Sequence, residues 1–399
     1  MFNAKKIFKY FQYMSLSALF VMATLSPNKV YAQTCGDVFT DEDIIKYFDR
    51  NTCPSEREIY KMAAIVGERA IPGLRKLGES GQCGDGYEAM RVYTPLARLG
   101  DQEAFKELEK RLYERTRFNR AFDNLAFVRN NQAVSILMTY FSKYRSDPSM
   151  NIDIFAYDHL ATLIHKMGTI AFARKAPQIG MPELPFVVIG NAQRDEWEAW
   201  WNTQKDIPFS SSDHSDISDP QLRCLAGMIE WGLPEAAMLM TELPGMEKEA
   251  ESVLKTFQRD SDELFGSISG TIDVALLRFG DEVIMTELNN RLGSKTTYMR
   301  NSAIKKMRIA NTKESIDILL NALDVKKIDG VGENGINIFR GEILNALSQM
   351  IENPPLDPEA DPTPENIQKW KQWWSENKDT AVLKRQSAND MEWRHDMGR

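Results

Sequence analysis

The chain has 399 residues, a formal net charge of −8 and a hydrophobic fraction of 43%. This length accommodates two ordinary domains or one long repeat array. Nonspecific binding to nucleic acid or to anionic lipid depends largely on lysine and arginine, so the acidic balance argues against both as partners. The four cysteines and eight tryptophans constrain the architecture further.

Residues 1–32 have the pattern of a secretory signal peptide. A basic start precedes an uncharged apolar segment, Met14–Leu25, and Val30 and Ala32 supply small residues for cleavage after Ala32. Cleavage would remove four lysines and no acidic residue, so the mature chain would carry a charge of −12 and be periplasmic or secreted. An uncleaved membrane anchor is the alternative, although the segment is short and partly polar for that role.

The cysteines favour disulfides over metal ligands, because an exported chain meets an oxidising compartment. Cys53 precedes one predicted helix and Cys83 follows the next. These two ends lie together in an antiparallel helix pair, which predicts a Cys53–Cys83 bridge. Two arrangements stay open for the other cysteines: Cys35 pairs with Cys224, or Cys35 competes for Cys53.

Two segments of the chain repeat each other. Leu96–Leu112 (LARLGDQEAFKELEKRL) and Leu276–Leu292 (LLRFGDEVIMTELNNRL) are identical at eight of seventeen positions without a gap, which indicates an internal repeat. Each segment contains a Gly-Asp turn, at Gly100 and at Gly280, between two predicted helices. The glycine is suited to end the first helix, and the aspartate to accept hydrogen bonds from free N–H groups of the second.

The clearest helical unit is Tyr298–Leu323. Its apolar residues recur at helical spacing on both sides of a turn at Asn311 and Thr312. They are Met299, Ala303 and Met307 before the turn, and Ile316, Leu319, Leu320 and Leu323 after it. The pattern predicts a helical hairpin.

This hairpin resembles the HEAT-repeat superfamily, particularly the bacterial type related to phycobilisome-lyase repeats. The positions that carry the resemblance are Arg300, Ala303, Ile316, Leu319 and Leu323, and the segments Ala70–Leu74 and Leu99–Ala104 look similar. The resemblance implies an all-α fold, an α-solenoid of helical hairpins. HEAT motifs specify packing, so the resemblance says little about function.

The tryptophans form two matching triplets, each with an i, i+3, i+4 spacing that places three indoles on one face of a helix. The triplets are Trp197, Trp200 and Trp201, and Trp370, Trp373 and Trp374. A repeat array must cover its apolar end, so we expect both triplets to belong to end helices. A platform for carbohydrate or peptide is the functional alternative.

These features predict two tandem HEAT-like arrays, each closed by a Trp-x-x-Trp-Trp helix. The predicted segments are a signal peptide at 1–32, the first array at 33–205, a linker at 206–220, the second array at 221–383 and a flexible tail at 384–399.

One stretch is basic although the chain as a whole is acidic. Its candidate binding residues are Arg111, Arg115, Arg117, Arg120, Tyr113 and Phe118. Guanidinium groups beside aromatic rings suit carboxylate, phosphate or sugar-acid groups. An ordinary charged helix face over buried phenylalanines is the alternative.

Other motifs in the sequence are weaker evidence for a binding site. A G-x-G-x-x-G sequence begins at Gly330, but no buried strand precedes it, which favours an elongated inter-helix loop over a nucleotide site. His159 and His165 are six residues apart and do not share a helix face, while His214 lies in the linker, which we expect to be solvated. We therefore predict no metal and no cofactor, and no residue carries a recognised catalytic signature.

The sequence thus predicts an exported scaffold that binds a protein or peptide partner noncovalently. One alternative is a binder of anionic envelope carbohydrate or polymer that uses the arginine stretch. Another is a lyase- or hydrolase-type enzyme with an unrecognised site, which the absence of catalytic motifs disfavours. We expect no nucleic-acid partner and no membrane insertion after cleavage, and the sequence leaves the oligomeric state open.

Overall fold

The computed structural model describes residues 39–49, 52–84, 89–114, 217–261 and 266–384, together with residue 214 and parts of 121–146 and 195–203. The predicted signal peptide and most of the predicted tail lie outside these residues. Across the described ranges, no helix combines the length and the apolar composition that a membrane span requires.

Contacts between helices divide the chain into two units, Met1–Leu233 and Pro234–Arg399. The first unit contains α1 (Asp41–Phe48), α2 (Glu56–Val66), α3 (Ile71–Glu79), α4 (Met90–Arg98), α5 (Gln102–Leu112), α6 (Asn131–Ser146) and α7 (Pro220–Glu230), with a 3-10 turn at Gly67–Ala70. Helix α7 packs against α2, so its contacts place it in the first unit, whereas the sequence assigned residues from 221 onward to the second array.

The second unit is also built from helices. They are α8 (Glu235–Met240), α9 (Glu247–Ser261), α10 (Gly266–Arg278), α11 (Glu282–Leu292), α12 (Thr297–Ala310), α13 (Lys313–Ala322), α14 (Glu333–Met350) and α15 (Pro364–Asn377). In the described part of the chain, β structure is limited to two isolated bridges, Ile328–Val331 and Ile351–Leu383. The prediction of an all-α fold is confirmed for these residues.

The repeated Gly-Asp turns have the predicted structure. Gly100 and Gly280 adopt positive φ angles of 92° and 81°, a conformation that favours glycine. The following aspartates cap the next helices: Asp101 accepts a hydrogen bond from the backbone N–H of Ala104, and Asp281 accepts one from Ile284. Each turn therefore ends one helix and starts another with three residues between them.

The predicted hairpin is α12 and α13. Asn311 separates them in a left-handed conformation, with a φ of 50°, and Thr312 caps α13 by accepting a hydrogen bond from the backbone N–H of Ser315. The predicted core residues are buried with one exception: Ala303, Met307, Ile316, Leu319, Leu320 and Leu323. The exception is Met299, in the first turn of α12, which is 41% exposed although the next residue, Arg300, is buried.

Helices α10, α12 and α14 lie side by side and run in parallel. Arg278, at the end of α10, donates hydrogen bonds to the carbonyl oxygens of Ile309 and Ala310, at the end of α12. The Asn311 amide, just after α12, donates in turn to the carbonyl oxygen of Met350, at the end of α14. Since three consecutive helix ends meet in this way, the helices share one direction.

The second tryptophan triplet lies on α15, with Trp370 and Trp374 buried and Trp373 half-buried. The Trp374 indole N–H donates to the Asp317 carboxylate of α13 at 2.8 Å. Trp201, from the first triplet, is also buried. Trp197 and Trp200 lie outside the described residues.

The predicted Cys53–Cys83 disulfide is confirmed, with a Cα–Cα distance of 4.9 Å. It joins the residues just before α2 to those just after α3, closing the antiparallel pair at one end. Cys224 is also disulfide-bonded. One of the two predicted arrangements pairs Cys224 with Cys35. Cys35 lies outside the described residues.

The G-x-G-x-x-G segment begins in the connection between α13 and α14, residues 323–332, and contains a tight turn. Gly330 has a φ of 77°, and Ile328 and Val331 pair on either side of the turn. Gly332 then precedes α14 directly. The Ile328 side chain, at the start of this turn, is buried.

Candidate functional site

Two residues of the predicted arginine and aromatic cluster are described, and they have different environments. The Arg111 guanidinium is buried, 3.0 Å from the Glu107 carboxylate, and lies over the Tyr93 ring at 5.4 Å. Tyr113 is 40% exposed, and its ring lies 5.2 Å from that of Tyr140. The Arg111 guanidinium thus has its partners, Glu107 and Tyr93, within the first unit. Arg115, Arg117, Arg120 and Phe118 lie outside the described residues, so the cluster as a whole stays a prediction.

The internal repeat supports a packing role for Arg111. Its counterpart is Arg291, which forms the same i, i+4 ion pair with Glu287 that Arg111 forms with Glu107. A side chain that has the same partner in both copies is explained by helix packing. Nothing in its geometry requires an external anion.

The structure brings together a second group of residues that the sequence analysis missed. The Arg98 guanidinium carbon lies 4.8 Å from the Phe127 ring and 4.5 Å from the Trp231 ring. Arg98 also donates a hydrogen bond to the carbonyl oxygen of Glu230 at 2.8 Å. Tyr60 stacks on Phe127 with ring centroids 4.8 Å apart. We call these five residues the Arg98 cluster.

The electrostatics of the Arg98 cluster argue against acid–base chemistry. Burial lowers the pKa of Arg98 to about 10, against the opposing charges of Glu230 and Tyr60. Burial, reinforced by the Glu56 carboxylate, raises the pKa of Tyr60 well above its ordinary value. Both groups keep their protons at neutral pH, so the phenol cannot act as a general base. The cluster instead links α2, α4 and α7.

The internal repeat could have pointed to Arg98, because an arginine occupies the same position in both copies. Arg98 corresponds to Arg278, which donates hydrogen bonds to the carbonyl oxygens of Ile309 and Ala310, both at 3.3 Å. In each copy the arginine two residues before the Gly-Asp turn thus binds main-chain carbonyls outside its own helix. The aromatic rings around Arg98 come from residues far apart in sequence, which a repeat comparison cannot connect.

His214 is part of the same region, and the prediction that the linker is solvated is wrong at this residue. Its side chain is buried, and its Nε2 atom lies 3.4 Å from the Glu230 carboxylate. The backbone has a positive φ of 46°, which is uncommon for a residue with a side chain. A buried contact therefore holds the chain just before α7.

A basic residue contacts the capping aspartate in both copies of the repeat. Arg75 lies 2.5 Å from the Asp101 carboxylate, and Lys255 lies 2.9 Å from that of Asp281. The separation is 26 residues in each pair. Burial opposes ionisation of Asp281, but hydrogen bonds from Ile284 and Lys255 hold its pKa below the ordinary value. The repeat thus extends upstream of the similar sequence segments.

The second unit contains one further buried ion pair. Lys306 of α12 lies 2.5 Å from Asp273 of α10, and both side chains are about nine-tenths buried. Burial raises the pKa of Asp273, and the Lys306 charge offsets this only in part. Such a pair fixes the register of two helices more readily than it adds stability.

Within the described residues, no group of three or more His, Cys, Asp or Glu side chains is placed to hold a metal ion. No protein-family model matches the chain, and no curated protein or solved structure matches it either. Functional inference therefore depends on the geometry of the chain itself.

Proposed function

We propose that the protein is an exported scaffold of two HEAT-like arrays that binds a protein or peptide partner noncovalently in the cell envelope. The parallel arrangement of α10, α12 and α14 carries this proposal. Neighbouring helices in this row pack along their length, and α11 and α13 form contacts behind them. Rows of stacked helical hairpins present long, fixed surfaces, and such surfaces bind partners through many modest contacts.

The α15 helix supports the array interpretation, because it has the properties of an end cap. Its indoles Trp370 and Trp374 are buried, and Trp374 donates a hydrogen bond to α13, whereas its outward positions are polar and exposed. These outward residues are Glu365, Gln368, Lys369, Gln372 and Glu376. A polar outer face stops further stacking and keeps the end of an array in water. The buried Trp201 supports a similar end helix for the first array.

Export is supported by the disulfides together with the leader pattern. Cys53 and Cys83 are bridged, and Cys224 is also in a disulfide. Disulfides persist in the periplasm and outside the cell and are rare in the cytoplasm. A protein cleaved after Ala32 and oxidised in this way belongs in the envelope or the medium.

Binding is a better account than catalysis because the buried charged groups already have internal partners. Arg98 is held by aromatic rings and carbonyl oxygens, Arg111 by Glu107, and Lys306 by Asp273. A catalytic group must instead face a substrate within hydrogen-bond reach.

Affinity capture with the mature chain tests this function. The immobilised protein would be incubated with envelope extract, and retained proteins would be quantified by mass spectrometry. An unrelated folded protein of similar negative charge is the control for nonspecific electrostatic retention. Reproducible enrichment of one protein or a small set over the control is expected. No enrichment, combined with cleavage of envelope glycans by the same preparation, would contradict the proposal and favour a lyase or hydrolase.

A further inference from the structure

Two large apolar side chains are exposed on neighbouring helices of the second unit. Tyr298 on α12 is 54% exposed, and Ile338 on α14 is 57% exposed. Burying a large apolar side chain gains about 1.5–3 kcal/mol, so leaving two of them in water on adjacent helices forgoes a substantial contribution. The feature is informative only if both side chains lie on the same face.

A hydrogen bond near the other end of these helices fixes that face. Arg308 of α12 donates to the side chain of Gln349 of α14 at the protein surface. Tyr298 precedes Arg308 by ten residues, and Ile338 precedes Gln349 by eleven. Three turns of α-helix take about 10.8 residues. Eleven residues bring Ile338 to within about 20° of Gln349, whereas ten leave Tyr298 about 80° round the helix from Arg308. Both side chains are more than half exposed, so both lie on the solvent side of their helices, about three turns upstream of the hydrogen bond.

The spacing of the two side chains follows from helix packing. Contacts at both ends show that α12 and α14 are parallel and closely packed: the Arg300 guanidinium lies 5.8 Å from the Phe339 ring, and Asn311 binds Met350. Packed helices have axes roughly 8–10 Å apart. Tyr298 and Ile338 thus form two anchor points separated by roughly one helix diameter.

Basic residues flank this pair of anchors. Lys295, in the turn before α12, is exposed, and Lys305 lies two turns beyond Tyr298 on the same face. Neither lysine has a carboxylate partner among the residues that the structure describes. Glu342, one turn beyond Ile338, is the acidic residue on the neighbouring helix face. On a chain of net charge −8, this surface has an excess of positive charge.

We propose that this face, the Tyr298–Ile338 surface, binds an acidic amphipathic helix of a partner protein. Large apolar residues at positions i and i+7 of such a helix are roughly 10.5 Å apart, which matches the distance between adjacent helices of the array. Carboxylates beside these residues would meet Lys295 and Lys305 and accelerate encounter. The inference rests on the proposed scaffold function and names the class of partner and its location.

A defined peptide tests the surface in the full mature chain. The probe is a labelled 21-residue alanine-rich peptide with leucine or phenylalanine at two positions seven apart and glutamates beside them on the same face, spaced so that like charges do not oppose helix formation. Its binding is followed by fluorescence anisotropy. The control peptide has the same composition with the apolar residues adjacent. We expect micromolar binding of the probe, and at least about tenfold weaker binding by the control peptide and by Y298S/I338S.

A matched variant separates loss of the anchors from general loss of apolar surface. V283S/V382S removes two side chains of the same unit that are 72% and 55% exposed but lie elsewhere, and it should bind as the wild type does. Equal losses in the two double variants, or no binding of the probe to the wild type, would overturn the proposal. So would binding only to vesicles of phosphatidylglycerol and phosphatidylcholine, since the surface would then recognise a lipid headgroup.

The affinity-capture experiment distinguishes failure of this surface from failure of the scaffold. Capture of the same partner by wild type and by Y298S/I338S would overturn the surface and leave the scaffold function standing. Loss of the partner only in Y298S/I338S, with unchanged circular dichroism, would support both. Absence of any partner from the wild type would remove the scaffold function and, with it, this inference.

Discussion

Replacing Trp370 by alanine should destabilise the second unit strongly. The indole is 1% exposed and is among the largest fully buried side chains of the described residues. Truncation loses its apolar burial and leaves a cavity between α15 and the rest of the unit. Changes of this kind in protein cores cost about 3–5 kcal/mol. The better helix propensity of alanine offsets only about 0.5 kcal/mol of this loss.

Trp373→Ala is the matched control, because it makes the same chemical change three residues further along the same helix. Trp373 is half-buried, and its ring lies 6.1 Å from that of Trp370 and 6.4 Å from that of Trp374. Its loss removes ring contacts without opening the core, so we expect a cost of about 1–1.5 kcal/mol.

Urea unfolding of a chain of residues 33–399 measures both variants, with far-ultraviolet circular dichroism as the signal because each variant loses an indole. With an m-value of about 2 kcal/mol/M, Trp370→Ala should lower the midpoint of one transition by about 1.5–2.5 M. Trp373→Ala should lower it by less than about 1 M. Equal midpoints for the two variants would refute the proposal that α15 covers the apolar end of the unit through Trp370.

Three further predictions concern the cross-links and charges. Replacing Cys53 and Cys83 by serine should lower the free energy of unfolding by about 3–4 kcal/mol, measured by urea unfolding against the reduced and oxidised wild type. Asp281→Asn should flatten the stability profile in acid: the folded pKa is depressed, so its stabilisation is complete above about pH 4 and is lost as the pH falls through the folded pKa. An unchanged acid profile would contradict this assignment. Lys306→Met alone should cost about 3–5 kcal/mol because Asp273 stays buried without its partner, whereas K306M/D273L should restore most of that loss in thermal unfolding. A double variant as unstable as the single would show that packing, not charge, dominates there.

Local sequence was sufficient to predict the all-α fold and several of its turns. The Gly-Asp turns, the break at Asn311 and the Cys53–Cys83 bridge follow from short-range rules on backbone conformation, capping and helix pairing. Met299 was assigned to the core because periodicity does not report which side chains of the first turn are covered by neighbouring helices. The glycine pattern around Gly330 did not indicate the Ile328–Val331 bridge, because backbone pairing within a loop has no glycine signature.

The candidate site was harder to predict because its charged residues act through partners distant in sequence. Arg111 was chosen for its basic neighbourhood, but the structure gives it Glu107 and Tyr93 as partners. Trp231 carried no sequence pattern, yet it flanks Arg98. Repeats identify which arginines recur, whereas burial and distance decide whether a guanidinium binds the chain itself or a ligand.

The parallel register of α12 and α14 is the claim on which the scaffold and its surface depend, and chemical cross-linking tests it most directly. The three described cysteines are in disulfides, so introduced thiols can be modified selectively. A short bismaleimide should cross-link R308C/Q349C efficiently and R308C/I338C hardly at all, because residues 349 and 338 are about 16 Å apart along the helix. Efficient cross-linking of R308C/I338C with none in R308C/Q349C would contradict the parallel arrangement.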